Sequence, residues 1–145
     1  MPPTGQRVDP LSTFRFHVEM GGITQAVFSE CSGLEAETEV FTYNEGGLNE
    51  YVHKLPGRTK ISDLTLKRGV TFSNELWQWY AKVIRGKIER QNVSVILYDS
   101  TGTQRMRWQF REAYPIKWTG PAFKADENAV AIETLTLAHK GMELG

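Results

Sequence analysis

The chain has 145 residues, a single-domain length able to bury one ordinary core without staples. With 40% apolar and 23% charged residues the composition is that of a folded globular protein, which excludes wholesale disorder. Its 17 basic and 17 acidic residues cancel, so the basic excess of a sequence-independent nucleic-acid binder is missing, and no net charge opposes self-association. A single cysteine, Cys31, rules out an internal disulfide framework and reads as a small buried hydrophobe. No stretch reaches transmembrane length, and residues 1–7 carry no apolar targeting region. The expectation is a protein made in the cytoplasm, with no membrane insertion of the isolated subunit and with release only by lysis or as part of a particle.

Residues 1–12 contain three prolines and no periodicity, and they read as a flexible arm on one domain spanning 1–145. Phe14, Phe16, Val18 and Met20 alternate with polar residues, the pattern of a half-buried strand. Gly21-Gly22 is a turn, and residues 25–31 are expected to return as a hairpin partner. From Leu34 to Tyr43 the alternation puts Glu35, Glu37, Glu39, Phe41 and Tyr43 on one face. Asn44-Glu45-Gly46-Gly47 is a turn, followed by a strand from Leu48 that should end at Pro56-Gly57. A basic loop, Arg58-Thr59-Lys60, then leads to a strand over 61–68 with Leu64 and Leu66 buried.

One helix is predicted, with Ser73 or Asn74 at its cap, Glu75 in its first turn and Gly86 at its stop. Leu76, Trp77, Tyr80, Val83 and Ile84 form its expected apolar stripe, with Trp77 and Tyr80 in the core. Trp79 falls off that stripe and is a candidate for covering a partner surface. Strands follow over 91–99 and 104–118, with Ser100-Thr101-Gly102 turning the chain between them. Pro115 requires an edge or a bulge, and residues 129–139 read as the last strand. The tally is a mainly β fold, an antiparallel β-barrel or sandwich of about seven or eight strands with one flanking α-helix.

No catalytic, cofactor-binding or metal-binding set can be assembled from the sequence. His17, His53 and His139 are far apart and lack metal-ligand spacing. No phosphate-cradling glycine loop and no nucleophile elbow occurs. Glu35, Glu37 and Glu39 read first as a solvated acidic face. Arg105, Arg107 and Arg111 read as a solvated basic face, or as one side of a cross-strand charge ladder.

The ordered segments resemble the phage tail tube proteins and their relatives in extracellular contractile injection systems. The likeness runs from Phe14 to Met142. It includes Cys31-Ser32-Gly33-Leu34-Glu35, Tyr43-Asn44-Glu45-Gly46-Gly47, Lys54-Leu55-Pro56-Gly57-Arg58 and Leu64-Thr65-Leu66-Lys67-Arg68-Gly69-Val70. Leu76-Trp77-Gln78-Trp79, Trp108 to Pro115 and Glu133 to His139 complete the series.

The resemblance implies a non-enzymatic inner-tube subunit that closes into hexameric rings stacked within a contractile sheath. Its implied partners are copies of itself, the sheath protein, baseplate or spike and terminator proteins, and cargo in the lumen. Lumen-facing candidates are Glu35, Glu37 and Glu39. Ring-stacking candidates are Asn44, Glu45, His53, Lys54, Arg58 and Lys60. Two alternatives stay open: an adaptor ring between tube and baseplate, and a monomeric β-sandwich that binds a small ligand.

Overall fold

The computed structural model describes residues 14–21, 28–44, 52–70, 73–123, 125 and 131–145. The predicted arm, the Gly46-Gly47 turn and most of the hairpin expected over 25–31 lie outside them. The described residues form nine strands and one helix. The strands are β1 Phe14–Met20, β2 Glu30–Ser32, β3 Ala36–Asn44, β4 Val52–Ile61, β5 Leu64–Gly69, β6 Gln91–Asp99, β7 Gln104–Thr119, β8 Ile132–Ala138 and β9 Gly141–Leu144. The helix, α1, spans Glu75–Ile84.

Seven strands make one antiparallel sheet in the order β1-β6-β7-β8-β5-β2, with β9 joining β7. Strands β3 and β4 form a separate two-stranded ribbon. Every ladder is antiparallel, as predicted for a barrel or sandwich with a flanking helix.

The long strand β7 holds the sheet together by serving two sets of partners. Gln104 to Ala113 pairs with β6, and Tyr114 to Thr119 pairs with β8. At the changeover one extra residue is accommodated, and Glu112 takes φ 50°. Such left-handed backbone is uncommon for a residue with a Cβ, and within a bulge it bends the strand. Asn92 Oδ1 accepts the Glu112 backbone N–H at 3.1 Å, and Lys140 Nζ lies 2.6 Å from its carboxylate, so the bend is held from both sides. A second bulge follows between Pro115 and Lys117, the irregularity that Pro115 demands.

The bent sheet wraps a single core. Val18 and Met20 of β1 meet Val95 and Val93 of β6, and Leu66 of β5 lies opposite Leu135 of β8. Phe28, Leu64, Leu76, Trp79, Phe110, Ala113 and Leu137 complete the buried cluster. In this arrangement the first two described strands each pair with a strand distant in sequence. β1 pairs with β6, the β-branched strand able to bury its apolar face, and β2 pairs with β5. The last strand is likewise β9 rather than β8, because the chain turns at Lys140 and returns along Trp108 to Arg111.

The helix begins and ends where the sequence predicts, but it is rotated. Trp79 is 3% exposed and donates its indole N–H to the Glu89 carbonyl at 2.8 Å. Trp77 is 40% exposed and sits edge-on to Trp118, with ring centroids 4.9 Å apart. Tyr80 is half-buried. The buried stripe is therefore Leu76 with Trp79, one turn apart, and the roles expected of the two tryptophans are exchanged. Asn74 is the cap residue but makes no side-chain capping bond, which leaves Glu75 as the favourable charge in the first turn. Gly86, at φ 85°, closes the last turn with its N–H on the Val83 carbonyl.

Candidate assembly surfaces

The β3–β4 ribbon leaves the main sheet at one tight junction. Gly33 has φ 105°, and a Cβ there would stand 2.0 Å from the Asp63 carbonyl oxygen. Only glycine lets the β2–β3 and β4–β5 breaks lie against each other this closely. Ser62 N–H donates to the Glu35 carbonyl at 3.0 Å across the break, so both strands turn together. His139 braces the same point, with Nε2 2.9 Å from the Ser62 carbonyl and its ring edge-on to Phe110.

Beyond the junction the ribbon stands clear of the core. Ala36 to Thr42 are all exposed. Glu37 lies opposite Lys60, and the Thr38 and Thr59 hydroxyls are 2.9 Å apart. Val40, Phe41 and Leu55 are 56, 59 and 49% exposed. Phe41 lies against Gly57, where a Cβ would come within 2.5 Å of its ring. A two-stranded ribbon with apolar side chains in water is marginal alone and is stabilised by packing on something else.

The predicted site residues collect on this ribbon. Glu35 precedes β3, and Glu37 and Glu39 are exposed along it. Asn44 pairs with Val52 and His53 with Tyr43 near the far end. Lys54, Arg58 and Lys60 lie along β4, and Glu45 falls outside the described residues. One expectation is corrected here. Pro56-Gly57 does not end the strand, and Arg58-Thr59-Lys60 is not a loop, because β4 runs through all five residues. A register shift between Thr38 and Val40 absorbs the proline, whose missing N–H is tolerated at a bulge.

The basic face of β7 is a charge ladder. Arg105 lies 2.7 Å from Asp99, Arg107 3.3 Å from Glu19 and Arg111 3.2 Å from Glu143. The Thr101 hydroxyl, the Thr103 and Thr101 backbone N–H groups and Arg105 hold the Asp99 carboxyl well below the usual carboxylate range, against the opposing effect of desolvation. Burial pushes the Cys31 thiol up to about 11, as suits a side chain packed against the core.

Sequence reading missed the buried pair of Arg68 and Glu133, register partners on β5 and β8 whose side chains are ion-paired. The signal was present. Each charge occupies the phase of its strand otherwise filled by leucine: Leu64 and Leu66 before Arg68, Leu135 and Leu137 after Glu133. Trp118 Nε1 donates to Glu133 at 3.1 Å, and Arg68 reaches the Ser73 carbonyl at 3.4 Å, at the entrance to α1.

Among the described residues no group of three or more His, Cys, Asp or Glu could hold a metal ion, and no helix is long and apolar enough to cross a membrane. A depression of about 610 Å³ is an open surface between β1 and the β6–β7 turn, lined by Arg15, His17, Glu19, Tyr98 and Asp99 among others.

Comparison with solved structures places this architecture. A chain of the cryo-EM structure of the anti-feeding prophage (AFP) baseplate, 6-fold symmetrised, matches with a TM-score of 0.82 and 26% identity, covering 96% of this chain and 97% of that one. A chain of the PVC sheath-tube complex of an extracellular contractile injection system, in the extended state, matches at 0.82 and 27%, covering 94% and 91%. A chain of the AFP tube terminating cap matches at 0.84 and 26%, covering 100% and 99%. Hcp1 from Flavobacterium johnsoniae shares the fold at 17% identity and a TM-score of 0.55, covering 90% of this chain and 94% of that one. No curated protein sequence matches. The family model for the T4-like virus tail tube protein gp19 matches residues 12–143, and the chain therefore belongs to that tail tube family, with the structural role of a phage tail-like tube protein.

Proposed function

We propose that this protein is the repeating subunit of a hollow tube, built as hexameric rings stacked inside a contractile sheath. The observation that carries the reading is the β3–β4 ribbon. It exposes Val40, Phe41 and Leu55 and packs on nothing in its own subunit among the described residues, so it is built to lie on a neighbour. Among the described residues β1 and β2 are the outermost strands of the main sheet, and their edges supply the ring contact. Pairing between subunits satisfies such edges, and a closed ring leaves none open. The 6-fold symmetry in the name of the matched AFP baseplate structure supports six copies.

In this reading Asn44, Glu45, His53, Lys54, Arg58 and Lys60 meet the adjacent ring, and Glu35, Glu37 and Glu39 turn toward the bore. Residues 1–12 act as an arm on the single domain. The matched chains come from sheath-tube, baseplate and cap structures, which supports a sheath, a baseplate or spike and a terminator as partners. Cargo passes along the lumen, no catalysis is needed, and the particle is assembled in the cytoplasm before its release. The test is electron microscopy with native mass spectrometry over a range of concentrations. Sixfold rings and tubes are expected. A subunit that stays monomeric throughout, with no tubes in lysates of the producing cell, overturns the reading. Rings that never stack would favour the adaptor role at the baseplate.

A further inference from the structure

The β3–β4 ribbon is a long lever on a narrow root. Its 10-residue strand β4 reaches about 30 Å at about 3.3 Å per residue, so a swing of about 10° at the root carries the far end through about 5 Å. That displacement exceeds the reach of a hydrogen bond, so any contact made by the ribbon's far end depends on the angle at its root. Among the described residues none of the ribbon belongs to the buried core cluster that would otherwise hold it.

The root is held by few contacts. Gly33 and the Asp63 carbonyl lie close together, and Ser62 N–H donates to the Glu35 carbonyl, which joins the two strands to each other. The bond from His139 to the Ser62 carbonyl is different, because His139 stands between β8 and β9. Among the described residues it is the one hydrogen bond that ties residues 35–62 to a distant part of the chain.

His139 is placed for direction more than for stability. A carbonyl only accepts, so Nε2 carries the hydrogen and Nδ1 is left as a bare acceptor. Nδ1 is buried and has no hydrogen-bond partner among the described residues. A bare buried acceptor costs free energy, which offsets part of what the other nitrogen's bond contributes. The ring itself is fixed by its edge-on contact with Phe110, a fully buried core residue. Beside it a hollow of about 150 Å³ is lined by Thr59 and Ile61 of β4 and by Lys140 and Gly141 after β8. The ribbon root therefore has room to move against the β8–β9 turn, and the His139 bond sets how far apart the two stand.

We propose that His139 is a positioning residue for assembly: it clamps the ribbon root to the core and sets the angle at which the ribbon meets a neighbouring copy of this chain. The inference rests on the reading that the ribbon docks on a neighbour, and it names what aims the ribbon. The contacts run from Phe110 in the core through the imidazole to the Ser62 carbonyl, one residue beyond β4. A ribbon aimed before contact has less freedom to lose on docking, which raises affinity by preorganisation.

The experiment uses the full chain with Cys31→Ser and spin labels at Thr42→Cys on the ribbon and Gln104→Cys on the main sheet, both exposed positions. His139→Phe keeps a ring against Phe110 without the donor. His139→Gln keeps a donor without the ring. His139→Leu is read in place of His139→Phe if that variant does not fold. Pulsed electron paramagnetic resonance on free subunits should give one narrow distance distribution for the parent and for His139→Gln, and a broad one for His139→Phe. Melting temperatures should stay within a few degrees of one another. The concentration needed for tubes should rise about tenfold in the donor-less variant and return toward the parental value with glutamine. A narrow distribution without the donor overturns the clamp, as does broadening in both variants, which would assign the angle to ring packing. Parental assembly from a broadened ribbon overturns its role in positioning. Failure of both donor-less variants to fold makes His139 a residue of the fold and overturns the proposal as well. If the parent forms no rings, the tube reading fails, and the distance distributions still decide whether His139 clamps the root.

Discussion

Arg68 and Glu133 face each other across β5 and β8, both buried and ion-paired, near the end of an otherwise leucine-lined ladder. Trp118 and the Ser73 carbonyl fill further hydrogen-bonding positions of the pair, so it ties the sheet to the start of α1. A buried pair of this kind is worth little over an apolar replacement, but removing one partner leaves the other charged and alone. Glu133→Ala should therefore destabilise by about 3–5 kcal/mol. The double change Arg68→Met with Glu133→Leu should recover most of that loss. Urea midpoints of the three proteins check this. A Glu133→Ala variant as stable as the parent would mean the pair is not buried as described.

The two helix tryptophans should separate cleanly. Trp79 fills the core, and its truncation to alanine should cost about 3–5 kcal/mol. Trp77 loses an exposed edge-on contact with Trp118, worth about 1 kcal/mol. Thermal melts of Trp79→Ala and Trp77→Ala give the order, and equal losses would contradict the rotation of the helix.

Asp99 predicts an acid limit for the β6–β7 turn. Its carboxyl is held below its ordinary value, so the folded state favours the charged form. That contribution is fully present above the unfolded carboxylate value, about 3.9, and is lost as pH falls through the lower folded value. The melting-temperature gap between wild type and Asp99→Asn should stay constant from neutral pH down to that value and shrink below it. A gap that closes near neutral pH would show that another group sets the turn.

The ribbon charges should govern stacking rather than folding. Arg58 and Lys60 lie on β4, away from the core, and reversing both to Glu should leave the melting temperature nearly unchanged. Like charges forced together across a contact cost several kcal/mol, so long tubes should become scarce at low salt. Added salt should restore part of the stacking. Tube lengths by negative-stain microscopy provide the readout, and tubes of parental length at low salt would remove these two charges from the contact.

Much of this protein was legible in its residues. Period-2 alternation located β1, β3, β6 and β7 to within about a residue or two, and the helix with its Gly86 stop needed only local signals. The order of short segments pointed to the tail tube family before any fold was known, and residues 12–143 match that family. What the residues could not carry was partner choice. Alternation says that Val18 and Met20 want an apolar neighbour, but not that β6, far along the chain, supplies one, because pairing is decided by which long-range contact buries most. Helical periodicity likewise put Trp77 on the buried stripe and Trp79 off it, and the packing of Leu76 and Trp79 into the core reversed the two. The Arg68–Glu133 pair exists only across strands distant in sequence, so only the tertiary register brings its members together.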